Sequence, residues 1–220
     1  MIRQRNDPRS QQDGRPKIDD PKIDDPSEED TVTMADARPP AAETAVQPDE
    51  VMFSPAVRSE QACRGSREAY ARRAAAGRFA RELSADVMAF IAQRDSAYLA
   101  TASADGQPYV QHRGGPPGFL QILNDHTLAF LDYPGNKQFI SIGHLAENER
   151  AFLFLMDYAN ARRLKLWGRA QVSNDPELIA SLMSSAGSRR VEHAIVFTVL
   201  AWDWNCSQHI PRLVPAEPSS

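Results

Sequence analysis

Aromatic residues are missing from the first fifty positions, and the first to occur is Phe53. The same stretch holds 13 Asp and Glu against 7 Lys and Arg, together with 7 of the 16 prolines. So little apolar surface cannot offset the entropy of ordering a chain. Pro16-Lys17-Ile18-Asp19-Asp20 runs straight into Pro21-Lys22-Ile23-Asp24-Asp25, and a proline every fifth residue blocks a long helix. Residues 1–60 therefore read as a disordered, acidic, proline-rich tail, either a docking arm or a solvated extension.

Other absences exclude whole chemistries. The two cysteines, Cys63 and Cys206, fit no metal spacing and no disulfide framework. His112, His126, His144, His193 and His209 contain no HxH or HxxxH pair, so no metal centre is expected. There is no G-x-S-x-G elbow and no P-loop, which sets aside the common serine hydrolases and nucleoside triphosphatases. No apolar run approaches the roughly 18 residues of a membrane span. The basic N-terminus lacks the apolar stretch of a secretory signal, so a cytoplasmic protein with no membrane partner is expected. A net charge of −4 gives no reason to expect a nucleic-acid partner.

What is present begins near Ser66. Ser66 and Ser84 are placed to cap helices, the second over 85–94. Phe79, Leu83, Val87, Phe90 and Ile91 recur at helical spacing and mark an apolar face. The arginines at 64, 67, 72, 73, 78 and 81 form either a basic patch or a solvated outer face. From residue 96 the period changes to that of strands. Segments 97–103 and 108–113 flank Asp105-Gly106, a hairpin signal because the turn needs positive φ. Gly114-Gly115-Pro116-Pro117-Gly118 is a loop. Further strands are expected over 127–132, 151–158, 162–172 and 192–204, with a helix over 136–148. Asp175-Pro176-Glu177 opens another helix. Six strands with short helical connections, starting from a hairpin, predict a mainly β fold, a small antiparallel barrel with flanking helices.

Three polar clusters stand out. Along 162–172, strand alternation puts Leu164, Leu166, Gly168, Ala170 and Val172 on one face and Arg163, Lys165, Trp167, Arg169 and Gln171 on the other. Three cations and an indole suit an anionic, planar ligand, or equally a solvent-facing edge protected by charge. Gln111 and Arg113 share one face of the hairpin's second strand, with His112 on the opposite one. Asp132-Tyr133-Pro134-Gly135-Asn136-Lys137-Gln138 leads a turn into a helix, whose free amides and dipole favour an anion.

Taken in order, Tyr98-Leu99-Ala100-Thr101, Pro108 to Leu120 with its His112-Arg113-Gly114-Gly115-Pro116-Pro117-Gly118, Gly135-Asn136-Lys137-Gln138-Phe139-Ile140-Ser141, Leu164 to Arg169 and Ala201 to Ile210 resemble the pyridoxamine 5'-phosphate oxidase-like FMN-binding split barrel. The resemblance spans about residues 66–212, leaving 213–220 as a flexible C-terminus. It implies a homodimer with non-covalent FMN at the subunit interface, acting as an oxidoreductase on a small-molecule substrate. The electron donor would be a reduced nicotinamide cofactor or a redox partner protein. The implied cofactor-binding positions are Val110, Gln111, His112, Arg113, Asp132, Asn136, Lys137, Gln138, Ser141, Arg163, Lys165, Trp167 and Arg169, the last four lying against the flavin or the partner subunit. No catalytic acid or base is singled out. The turn carries fewer cations than the Arg-Ser-Arg-Lys pattern of the true oxidase, and nothing after Trp204 matches its substrate-binding extension. Pyridoxamine 5'-phosphate oxidation itself is therefore not expected. Alternatives are a non-catalytic flavin carrier or sensor, or a split barrel for F420 or haem, with His112, His144 or His193 as axial ligand.

Overall fold

The computed structural model describes residues 46–183, 191–205 and 207–213. Residues 1–45 of the expected tail, Cys206 and residues 214–220 lie outside these. Order starts earlier than composition predicts. Pro48–Met52 forms α1, inside the stretch assigned to the tail, and Pro55–Cys63 forms α2, which starts inside it and runs past its end. Local capping accounts for both. Gln47 and Glu50 form a capping box ahead of α1, the Ser54 hydroxyl accepts from the Val57 amide, and a proline occupies the first turn of each helix. Phe53 then anchors the pair, its ring lying 5.3 Å from Tyr70 and 5.5 Å from Phe79. Two more helices follow, α3 (Arg67–Ala75) and α4 (Ala85–Ala92).

Among the described residues, seven strands form one antiparallel sheet rather than six: β1 (Ser96–Ala102), β2 (Pro108–Gly114), β3 (Gln121–Asn124), β4 (Thr127–Asp132), β5 (Arg150–Asp157), β6 (Arg162–Ser173) and β7 (His193–Trp204). The additional strand, β3, is only four residues long and has no clean alternation, so its sequence carries little signal. Two helices interrupt the series, α5 (Ile140–Glu147) and α6 (Pro176–Met183). α5 starts four residues later than the sequence suggests, because Lys137 and Phe139 both adopt left-handed backbone, with φ of 58° and 51°.

The sheet order β2-β1-β5-β6-β7-β4-β3 leaves β2 and β3 at its two ends. The sheet nevertheless rolls around one core. Leu99, Leu128, Phe130, Leu153, Leu155, Leu164, Leu166, Ile195 and Phe197 come from five strands and share a single buried cluster, which α4 closes with Val87, Phe90 and Ile91. The seam between the ends is spanned by side chains: Arg113 of β2 makes an ion pair with Asp132 at the end of β4. This arrangement is a split barrel. α5 packs against β1, β2 and β6 and plugs the opening, with Leu145 in the core.

Two local devices keep the long strands in register. Opposite β6, Leu200 is an extra residue, since Trp167 faces Ala201 while Gly168 faces Val199. This bulge shifts the alternation of β7, so that Phe197 and Val199 point inward before it and Trp202 and Trp204 pack on the core after it. Gly168 is obligatory beside it, because a Cβ there would run into the Thr198 carbonyl and the Phe197 ring. Gly106 takes φ of 92° in the β1–β2 turn, as the Asp-Gly signal predicted.

Arg94 and Asp157 form a buried ion pair at 3.3 Å under the end of β5. Burial alone would raise the Asp157 carboxyl, but hydrogen bonds from the Asn160 side chain and amide, and then the Arg94 charge, hold it below the usual carboxylate value. A carboxyl lowered on folding stabilises the native state fully above its unfolded pKa of about 3.9. That stabilisation is lost as pH falls through the lower native value. The melting temperature of the wild type should therefore fall more steeply below about pH 4 than that of Asp157→Asn, and thermal unfolding measured from pH 7 to pH 2 checks it.

Candidate functional site

A cleft opens at the seam of the barrel. Three sets of side chains build it: Tyr109, Gln111 and Arg113 from the inner face of β2, Asp132 with Glu192 from the adjacent ends of β4 and β7, and the turn 133–139 with the first turn of α5. Alternation explains the first set. Along β2 the residues 109, 111 and 113 are half-buried while 108, 110 and 112 are exposed. Sheet register explains the second, since Asp132 faces His193 and the Glu192 amide donates to the Asp132 carbonyl at 3.1 Å.

The electrostatics are mixed. Arg113 and Lys137 are offset by Asp132 and Glu192, and Asp132 is only 7% exposed. Because Asp132 engages one arm of the guanidinium, Arg113 is fixed in place with its Nε buried and without a hydrogen-bond partner. Ser141, at 4% exposure, also has an unpartnered buried Oγ. It is the second residue of α5, where the amides of Ile140, Ser141 and Ile142 have no carbonyl one turn back to bond. The Asn136 side chain accepts from the Gln138 amide at 3.2 Å and shapes the approach to that helix start. Lys137 stands exposed beside it. Arg113, Lys137, Ser141 and the first turn of α5 all line the cleft, and an anionic oxygen cluster is the chemistry that such a lining suits.

Of the residues predicted from sequence, the cleft gathers Gln111, Arg113, Asp132, Asn136, Lys137, Gln138 and Ser141. The rest lie elsewhere. Val110, 58% exposed, and His112 point to the outer face of the sheet, where His112 Nε2 lies 2.9 Å from Ser96 Oγ. Arg163, Lys165, Trp167 and Arg169 also occupy that outer face, on β6, and do not line the cleft. There Lys165 Nζ is 3.8 Å from Asp203, Trp167 meets Phe152 edge-on at 5.0 Å and Arg169 pairs with Glu149. Burial lifts the Asp203 carboxyl above its ordinary value in spite of Lys165 and Arg73 beside it. The cleft also contains Tyr109, Tyr133, Phe139 and Glu192, which are not among the cofactor-binding positions implied by the sequence. Tyr109 was recoverable, being two residues before Gln111 on the same face. Among the described residues, no group of three or more His, Cys, Asp or Glu side chains could hold a metal ion.

Residues 83–217, more than half of the chain, match the family model of pyridoxamine 5'-phosphate oxidase. The chain therefore belongs to the pyridoxamine 5'-phosphate oxidase family. None of the curated proteins matches it. Among solved structures it is similar to a HupZ variant from Group A Streptococcus, with 12% identity and a TM-score of 0.45 over 56% of this chain and 99% of that one. It is also similar to an FMN-binding protein from Syntrophomonas wolfei, with 12% identity and a TM-score of 0.43 over 53% of this chain and 82% of that one. An FAD-binding protein from Mesorhizobium loti gives 18% identity and a TM-score of 0.39 over 57% and 98% of the two chains.

The Arg113–Asp132 pair makes a measurable claim on stability. Asp132→Ala leaves a largely buried guanidinium without its counter-charge and should destabilise the fold by about 3 kcal/mol. Adding Arg113→Met should recover part of that loss, and urea unfolding of the single and double variants measures both.

Proposed function

We propose that the chain binds FMN non-covalently in the seam cleft, as a homodimer, and acts as an oxidoreductase on a small molecule. The observation that carries this reading is the lining of the cleft, where Arg113, Lys137 and Ser141 stand together with the first turn of α5. A terminal phosphate satisfies all of these at once. In this reading Arg113, Lys137 and Ser141 hold the phosphate, Asn136 and Gln138 shape the turn over it, and Tyr109 and Gln111 extend the wall toward the ring. Bound FMN supplies the transfer of an electron pair, and the protein supplies its position and electrostatic setting. The electron donor in this reading is a reduced nicotinamide cofactor or a redox partner protein. Flavin is favoured over haem because His112, His144 and His193 do not line the cleft.

Two features support the dimer. The cleft of one chain holds about 80 Å³, well below the roughly 300 Å³ at which ligand pockets begin, so a flavin needs a second wall. The outer sheet face offers the surface to bring one. Val110, Ala100, Phe152, Trp167 and Ala201 form a continuous row across five strands. Tyr98, Phe154 and Met156 flank it, and Val110 stands exposed beside the half-buried Phe152, Phe154 and Trp167, an apolar strip for a second copy to cover. β2 belongs to both places, its outer side chains to this face and its inner ones to the cleft, so a second copy seated on the face stands beside the cleft.

Purified protein should show the two visible bands of flavin and release FMN on heating. Arg113→Ala with Lys137→Ala should weaken FMN by about 100-fold or more, since charge-assisted contacts are worth about 1.5–3 kcal/mol each. Full flavin content in that double variant would remove the cleft from the reading. Phe152→Glu should halve the mass in solution and lower flavin occupancy with it. An unchanged mass would remove the outer face as the dimer contact.

A further inference from the structure

We infer that Gln111, its amide turned by Tyr109, is the hydrogen-bond donor through which the cleft reads a ring carbonyl of its ligand, with His144 as a positioning residue behind Tyr109. This rests on the flavin reading of the cleft and names the contact that reading leaves open. Tyr109 and Gln111 are consecutive on the inner face of β2, and the Tyr109 hydroxyl donates to Gln111 Oε1. A glutamine whose oxygen is engaged in this way must present its NH₂ group elsewhere. Among the described residues that group has no protein partner, and Gln111 lines the cleft.

Tyr109 is itself held in place. The His144 imidazole meets its ring edge-on, with centroids 6.2 Å apart and an interplanar angle of 89°. His144 Nδ1 lies 3.2 Å from the hydroxyl of Thr101, which is 3% exposed and belongs to the adjoining strand β1. His144 comes three residues after Ser141 on α5, so the helix whose start meets the anion also carries the support for Tyr109 one turn later. Thr101, His144, Tyr109 and Gln111 form a chain of contacts that ends in a fixed N–H donor.

The spacing suits one ligand chemistry. Arg113 and Gln111 are two residues apart on an extended strand, about 7 Å. The cleft therefore offers cations at one point and an amide donor at another, separated by the length of a short polyol chain. A ligand with a terminal phosphate, such a chain and a heterocycle edged with carbonyl acceptors satisfies both. A donor at that edge also stabilises negative charge on the reduced ring, so Gln111 raises the midpoint potential of the bound flavin.

The test is an FMN titration of the full chain as wild type, Tyr109→Phe and Gln111→Glu, with the midpoint potential of each complex and competition by inorganic phosphate. Gln111→Glu keeps an acceptor for the Tyr109 hydroxyl and loses the donor. It should weaken FMN more than tenfold and lower the potential. Tyr109→Phe frees the amide to turn and should weaken FMN about three- to tenfold, the worth of one hydrogen bond, with a shift of potential in the same direction. Inorganic phosphate should bind wild type and Tyr109→Phe equally, and Gln111→Glu only slightly more weakly, because its new carboxylate stands about 7 Å from the anion. Should Tyr109→Phe lose its cooperative melting transition, Gln111→Glu decides the matter. If both variants match wild type in affinity and potential while the Arg113 and Lys137 double variant loses FMN, the phosphate site stands and the role of Gln111 falls. A wild-type protein that takes up no FMN overturns both.

Discussion

The ion pair between Arg113 and Asp132 joins what the backbone leaves apart. The sheet has two free ends, and no ladder of hydrogen bonds links β2 to β4. A rolled sheet without closure exposes polar edges and opens easily. One buried guanidinium and one buried carboxylate hold the seam, and the same contact aims Arg113 into the cleft. Removing two charges from water is costly, so such a pair persists only where its geometry is well supported. That support comes from Asp132 ending a strand whose inner residues Leu128 and Phe130 are fully enclosed. Barrel closure and site formation are thus a single event in the chain.

The second constraint is the approach to α5. Lys137 and Phe139 carry left-handed backbone without being glycine, a conformation that costs side chains about 1 kcal/mol or more each. Both flank Gln138 at the mouth of the cleft, and Phe139, 51% exposed, gains no burial in return. Stored strain of this kind collects at sites where geometry serves binding rather than stability. It also sets where the helix can begin, and so which residue becomes its second position. That residue is Ser141, with its unpartnered hydroxyl.

Much of the fold was legible because each long strand has one fully buried face. Leu164, Leu166, Gly168 and Ala170 could not be confused with Arg163, Lys165, Trp167 and Arg169, and the structure keeps the two sets apart. Averaged composition misled at residues 46–60, where the caps at Gln47 and Ser54 outweigh a proline-rich background. β3 escaped because four residues do not make a period. For the site, alternation gathered Gln111 with Arg113, and the turn before a helix gathered Asn136 through Ser141. Alternation says which side chains share a face, but not which faces meet. Arg163, Lys165, Trp167 and Arg169 lie on the outer surface, the face that the resemblance sets against the flavin or the partner subunit. Glu192 arrives only through the pairing of β4 with β7, a long-range register that no local pattern contains.

The hairpin that starts the sheet has a bearing on how such sequences can change. β2 is read from both sides, Tyr109, Gln111 and Arg113 facing the cleft and Val110 and His112 facing outward. The turn before it, residues 103–107, is held by the hydrogen bond from the Ser103 amide to the Gln107 carbonyl and is exposed over most of its length. Loops of that kind ordinarily accept insertions and deletions. Were one residue gained or lost within the strand while its pairing with β1 held, every side chain beyond would change sides. Valine and histidine would enter the cleft, and arginine would leave Asp132 alone in the seam. Relatives should therefore vary freely in the length of the turn itself, while the spacing from Tyr109 to Arg113 stays at an even count.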